Sequence, residues 1–63
     1  MASRYKIGDK FDAKGCREFG LLELKDIIIE NNTTFYILEG IKFKYQYKVS
    51  DKDINIYYYY REN

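Results

Sequence analysis

The chain reads as an all-β domain of five short strands. Three observations predict this. Between Ile41 and Val49 the sequence alternates without a fault: Ile41, Phe43, Tyr45, Tyr47 and Val49 take one parity, Lys42, Lys44, Gln46 and Lys48 the other. Strand side chains point to opposite faces with period two, so this stretch predicts a half-buried strand with an aromatic face and a basic face. A second alternation sets Ile54, Ile56, Tyr58 and Tyr60 against Asn55, Tyr57, Tyr59 and Arg61. Turn formers punctuate the rest, at Gly8-Asp9, Asn31-Asn32-Thr33 and Glu39-Gly40.

Taken in order, Gly8-Asp9 turns the chain into a first strand over Lys10 to Ala13, carrying Phe11. Lys14-Gly15-Cys16-Arg17 is a loop, with Gly15 at its positive-φ position. Phe19 to Glu30 is a long second strand. Leu22, Leu24 and Ile28 share one parity there; Leu21, Ile27 and Ile29 share the other. The pattern shifts at Lys25-Asp26, which predicts a bulge or sharp bend. A helix from Gly20 to Lys25 is the competing reading, and the β-branched run Ile27-Ile28-Ile29 argues against its continuation. Asn31-Asn32-Thr33 is a turn, because asparagine tolerates the left-handed region. Thr34 to Leu38 is the third strand. Glu39-Gly40 joins it to Ile41 in a tight hairpin with Gly40 left-handed. A two-residue loop sets Leu38 opposite Ile41 and Tyr36 opposite Phe43. A bulge at Gly40 flips that parity, and in either case one apolar pair of the third strand needs a cover. Ser50-Asp51-Lys52-Asp53 forms one helical turn capped by Ser50. Ile54 to Arg61 is the fifth strand. Phe43, Tyr45, Val49, Ile56 and Tyr58 are the expected inward set.

Sixty-three residues make one domain. A domain of this size buries only about 60% of the surface of its unfolded chain, so its core is marginal. Internal disulfides are excluded, since Cys16 is the sole cysteine, and histidine is absent, which excludes an ordinary zinc site. Twelve aromatic residues supply the burial instead. Net charge is +1, far below that of a dedicated nucleic-acid binder. The charge is unevenly placed: residues 21–40 sum to −3 and residues 41–50 to +3. Such a dipolar surface orients a partner more than it adds affinity. No apolar run approaches the roughly 18 residues of a membrane span. Met1-Ala2-Ser3-Arg4-Tyr5-Lys6 has no apolar segment behind it, so no secretory signal is expected. With a lone cysteine, this points to the cytoplasm. Lys, Ile, Asn and Tyr, residues of AT-rich codons, make up 28 of the 63 positions. That composition suggests a low-GC bacterium or one of its phages.

The layout resembles the SH3-like small β-barrel: five strands, a long second strand, and one short helical turn before the last strand. The resemblance runs from Ile7-Gly8-Asp9-Lys10-Phe11 through Tyr47-Lys48-Val49-Ser50-Asp51-Lys52-Asp53-Ile54. It implies a scaffold that binds peptides, proteins or nucleic acids, and selects none of them. The chain lacks the tryptophan and proline of a polyproline-binding groove.

Two surfaces are candidates for function. Exposed tyrosines are preferred interface anchors and can stack on unpaired bases, so Tyr57 and Tyr59, the outward pair of the run Tyr57 to Tyr60, are expected to bind. The bland alternative is that tyrosine suits strands and that Tyr5 covers this pair. Lys42, Lys44 and Lys48, about 7 Å apart along a strand, can meet phosphates. Their bland reading is a solvated face guarding against aggregation, neutralised by Glu23, Glu30 or Glu39. Tyr36 joins these residues as a partner-binding candidate. Cys16, between Lys14 and Arg17, lacks a base and reads as an ordinary loop thiol. Asp51 and Asp53 read as helix-cap residues rather than as cation ligands together with Glu62. No acid–base pair, phosphate-cradling loop or nucleophile elbow is present, so no enzyme and no cofactor is expected. The expected function is a non-catalytic binding module, a small phage or mobile-element accessory protein that modulates a protein partner. The alternatives are a nucleic-acid-binding barrel and a homo-oligomer closing through its last strand.

Overall fold

Residues 4–15 and 20–61 are described by the computed structural model. Its elements are β1 (Lys10–Ala13), β2 (Leu21–Glu30), β3 (Thr33–Gly40), β4 (Gln46–Ser50), α1 (Ile54–Tyr57) and β5 (Tyr58–Arg61). The strands form one antiparallel sheet in the order β4-β3-β2-β1-β5, so the first and last strands are neighbours. Among the described residues no ladder joins β4 to β5; the sheet is open, with these two at its edges.

Period-two burial builds the core on one face. Phe11, Leu22, Leu24, Tyr36, Leu38 and Val49 point there, and Ile54 of α1 closes over them. The bulge expected at Lys25-Asp26 is present: the β2–β3 register slips between Leu24 and Asp26. It switches parity, so Ile27 rather than Ile28 packs on the core. The Asp26 carboxylate accepts a hydrogen bond from the Ile27 amide at 2.8 Å, supplying an acceptor where the register slips. Asn31 and Asn32 both take positive φ, 49° and 64°, in the two-residue turn that pairs Glu30 with Thr33.

Two expectations need correction. The hairpin does not turn at Glu39-Gly40. β2 holds β3 extended through that point, since Gly40 pairs with Leu22 and the Ile41 amide donates to the Leu21 carbonyl at 3.0 Å. The chain therefore turns later, through a loop closed by Gly40 N–H to Tyr45 O and Lys44 N–H to Gly40 O, each 2.9 Å. Lys44, not Gly40, carries the positive φ, at 66°. Leu38 pairs with Tyr47 and Tyr36 with Val49. Val49 is inward as expected, but Phe43 and Tyr45 are 48% and 65% exposed. The apolar pair Phe35 and Ile37 falls on the outer face, half-buried, with the Lys48 ammonium 4.7 Å from the Phe35 ring centre.

The second correction concerns Ile54 to Tyr57, expected as strand and found as one turn of helix. β5 pairs only with β1, whose four residues end opposite Tyr58. Before Tyr58, among the described residues, only one cross-strand bond continues, from the Lys14 amide to the Tyr57 carbonyl at 2.9 Å, and the amides of Ile56 and Tyr57 donate instead to the Asp53 carbonyl. Ile56 is consequently exposed rather than inward. Asp53, not Ser50, sits at the N-cap, with no side-chain hydrogen bond.

Candidate functional site

Alternation of strand direction puts the end of β1, the start of β2, the end of β3 and the starts of β4 and β5 at one end of the sheet. A row of partners crosses that end: Tyr59 faces Asp12, Asp12 faces Leu21, and Leu21 binds Ile41. Three strand spacings separate Tyr59 from Ile41, about 14 Å. The β3–β4 loop brings Ile41, Phe43 and Tyr45 to this end, and α1 with β5 brings Ile56, Tyr57 and Tyr59; all six are exposed. Tyr57 and Tyr59 are each 59% exposed. Tyr59 points outward because of strand alternation, and Tyr57 is exposed as the last residue of the helical turn.

Cations accompany these rings. The Lys14 ammonium lies 4.7 Å from the Tyr59 ring centre and donates to the Asn55 carbonyl at 2.6 Å. The Lys42 ammonium lies 5.2 Å from the Phe43 ring centre. Among the described residues, Lys14, Lys42 and Lys44 have no carboxylate within ion-pair distance, 4.0 Å. Among the described acids at this end, Asp12 accepts from Arg61 at 2.7 Å, and Glu39 accepts from the neutral Gln46 at 3.0 Å.

The six side chains expected to bind are thus divided. Tyr57, Tyr59, Lys42 and Lys44 share one end of the sheet. Lys48 does not: it lies on the outer face of β4, bound to Glu30 at 2.9 Å. Tyr36 is fully buried in the core, and a surface role for it is withdrawn. The basic strand face of Lys42, Lys44 and Lys48 dissolves for the same reason, since the first two belong to a loop. Sequence reasoning missed Ile41, Phe43, Tyr45 and Ile56 by placing them on strands. It missed Lys14, whose position just past β1 was the available signal.

The far end is tied down instead. The Tyr36 hydroxyl donates to Asp51 Oδ1 at 2.6 Å, and Arg4 donates to the same oxygen at 3.1 Å and to the Asp51 carbonyl at 2.7 Å. The Tyr36 hydroxyl first, and Arg4 after it, hold the Asp51 carboxyl below its ordinary range. Burial first, and the Asp51 hydrogen bond second, push Tyr36 up to about 12. Tyr5 packs edge-on against Phe11 and Tyr36 at 5.0 and 5.5 Å and lies 5.3 Å from Tyr60. Its hydroxyl donates to Asn55 Oδ1 at 2.9 Å. Tyr5 therefore covers the core mouth and not Tyr57 and Tyr59. Asp51 is occupied by these bonds, and no cluster of three or more His, Cys, Asp or Glu suited to a metal occurs among the described residues. Cys16 and Glu62 lie outside the described residues.

No helix among the described residues is long and apolar enough to cross a membrane. No protein-family model matches the chain, and neither curated proteins nor solved structures yield a match.

Proposed function

We propose that this chain is a non-catalytic protein-binding module on an SH3-like small-barrel scaffold, and that the aromatic end of its sheet meets the partner. The scaffold reading is supported by the strand order β5-β1-β2-β3-β4 and by the helical turn before the last strand. The binding reading rests on one observation: Ile41, Phe43, Tyr45, Ile56, Tyr57 and Tyr59 are exposed at the same end of the sheet. Scattered surface apolar residues are ordinary, whereas a gathered set rimmed by polar groups marks an interaction site. Tyrosine is among the residues most often carrying interface energy. AT-rich composition supports an origin in a low-GC bacterium or phage, where such a domain acts as a small accessory protein.

The test is retention from a lysate of the source cell, with nuclease treatment in parallel. The expected result is a specific protein band that survives nuclease and is lost with Tyr57→Ala/Tyr59→Ala, a variant that still melts cooperatively. A band that persists in the variant rejects this surface. Retention abolished by nuclease transfers the reading to a nucleic-acid-binding barrel.

A further inference from the structure

The lysines at the aromatic end, which make no ion pair among the described residues, carry the reading one step further, to the chemistry of the partner; this step rests on the binding role proposed above. We infer that the surface takes an acidic polypeptide face: carboxylates set among apolar side chains, landing on Lys14, Lys42 and Lys44 around Tyr57, Tyr59 and Phe43.

The charge inventory supports this. Among the described residues, four ion pairs occupy Arg4, Lys25, Lys48 and Arg61, none of them a lysine of the aromatic end. Among the described residues Asp12 is paired with Arg61, Glu39 is bonded to the neutral Gln46, and Lys14, Lys42 and Lys44 make no ion pair and stand beside exposed rings. Potentials across protein interfaces are complementary, so the opposing surface is negative. A symmetric contact of two copies through this surface is disfavoured, because it sets these three lysines against their equivalents.

The lysines also qualify the rings. Lys14 stands over Tyr59 and Lys42 over Phe43, so one face of each ring is taken by an ammonium. A protein partner can use ring edges, the hydroxyl and the lysine itself, and stacking of a base on the other ring face is the competing outcome. Lys44 adds a separate observation. Its φ of 66° is a conformation in which glycine is unstrained and lysine is not. A non-glycine residue held there is the kind of local strain that collects at functional positions.

Amide NMR spectra of the labelled protein test the inference with four probes. These are a helical peptide with leucine and phenylalanine on one face and glutamate on the other, its lysine-for-glutamate counterpart, oligo(dT), and phosphatidylglycerol vesicles. Shifts at Lys14, residues 41–45 and residues 57–59 are expected with the acidic peptide alone, weakening as salt rises. Lys14→Gln/Lys42→Gln/Lys44→Gln keeps the fold, read from its spectrum, and weakens that binding about tenfold, the combined effect of three exposed ion pairs. Absence of shifts with the acidic peptide, equal shifts with the basic one, or an unchanged affinity in the triple variant overturns the acidic-partner inference. So does preferential binding of oligo(dT) or vesicles at these amides. The broader protein-binding reading survives those results and fails separately, if the lysate partner is retained by the tyrosine variant.

Discussion

The two ends of this sheet use the same residue types and do opposite things with them. At the N-terminal end, Tyr5 touches three other rings, its hydroxyl reaches Asn55, and Arg4 and Tyr36 share one oxygen of Asp51. Each named aromatic and charged group there has a partner inside the molecule. At the other end Tyr57 and Tyr59 are exposed, and among the described residues Lys14, Lys42 and Lys44 make no ion pair. Residue type does not separate structure from function here; the presence of an internal partner does. A tyrosine whose ring and hydroxyl are both engaged stabilises the fold, and one whose ring meets water is available to another molecule.

The sharpest break in this comparison is between two phenylalanines. Phe11 is fully buried and touches Tyr5 and Tyr60, while Phe43 is half exposed in the β3–β4 loop. Phe11→Ala is expected to cost about 3–5 kcal/mol, enough to abolish cooperative unfolding in so small a domain. Phe43→Ala is expected to cost less than about 1 kcal/mol, as for other exposed positions. Urea midpoints decide it, and a Phe43→Ala variant that unfolds with Phe11→Ala would return that residue to the core.

The next largest effect lies in the tied-down end. Asp51→Ala leaves the buried Tyr36 hydroxyl without its acceptor, at about 1–3 kcal/mol. Arg4→Ala costs less than about 1 kcal/mol, because the Arg4–Asp51 pair is half exposed and screened. The pH dependence has two limbs of opposite origin. The lowered pKa of Asp51 stabilises the fold above the ordinary carboxylate range, and that contribution is lost as acid protonates the group. Tyr36 is raised from 10.0 to about 12, so its contribution is complete below pH 10 and lost as pH climbs through that interval. Thermal melts across pH should show both limbs in the wild type, an attenuated acid limb in Asp51→Asn and an attenuated alkaline limb in Tyr36→Phe.

How much of this was legible in the sequence follows from where each fold decision is made. β1, the bulge at Lys25-Asp26 and the Asn31-Asn32 turn are set by local patterns and stand where those patterns put them, whereas β3 runs past its expected Leu38 end to Gly40. The loop from Ile41 to Tyr45 is not a local decision. Its residues alternate like a strand, but the β2–β3 ladder reaching Ile41 denies them a turn at Gly40. Ile54 to Tyr57 also alternate, and the shortness of β1 denies them a partner. Alternation describes one chain, whereas a strand also needs a neighbour of matching length. The candidate surface inherited that limit. Tyr59 was found by parity, Tyr57 is exposed as the end of a helical turn rather than by the strand parity expected of it, and Phe43 and Tyr45 were hidden by parity. Glu30 was among the acids foreseen as neutralising the lysine face, and it does so at Lys48 alone.

A third pair of variants compares tyrosines of identical chemistry. Tyr58 packs on the core, and Tyr60, though 43% exposed, meets the Tyr5 and Phe11 rings. Tyr58→Ala/Tyr60→Ala is expected to cost about 2 kcal/mol of stability. Tyr57→Ala/Tyr59→Ala is expected to stay within about 1 kcal/mol of wild type, apart from its loss of binding. Equal melting temperatures for the two double variants would show that this tyrosine run has no inner and outer sides.

The smallest effect sharpens the comparison at a single backbone angle. Lys44 sits at φ 66°, whereas Gly40 is not in the left-handed region. A Cβ built on Gly40 meets its nearest atoms at 3.7–3.9 Å, ordinary contact distances. Gly40→Ala is therefore expected to fall within about 0.5 kcal/mol of wild type. At Lys44, glycine relieves the left-handed penalty, and this outweighs its greater unfolded-state freedom. Lys44→Gly is expected to raise stability by about 0.5–1 kcal/mol, read as a higher urea midpoint. The same variant removes one of the three unpaired charges and so weakens the acidic peptide. A substitution that makes the domain more stable and a poorer binder would mean that Lys44 is held in strain for a contact outside the fold. Loss of stability in Lys44→Gly would instead mean that the lysine serves the loop itself, and would take Lys44 off the binding surface.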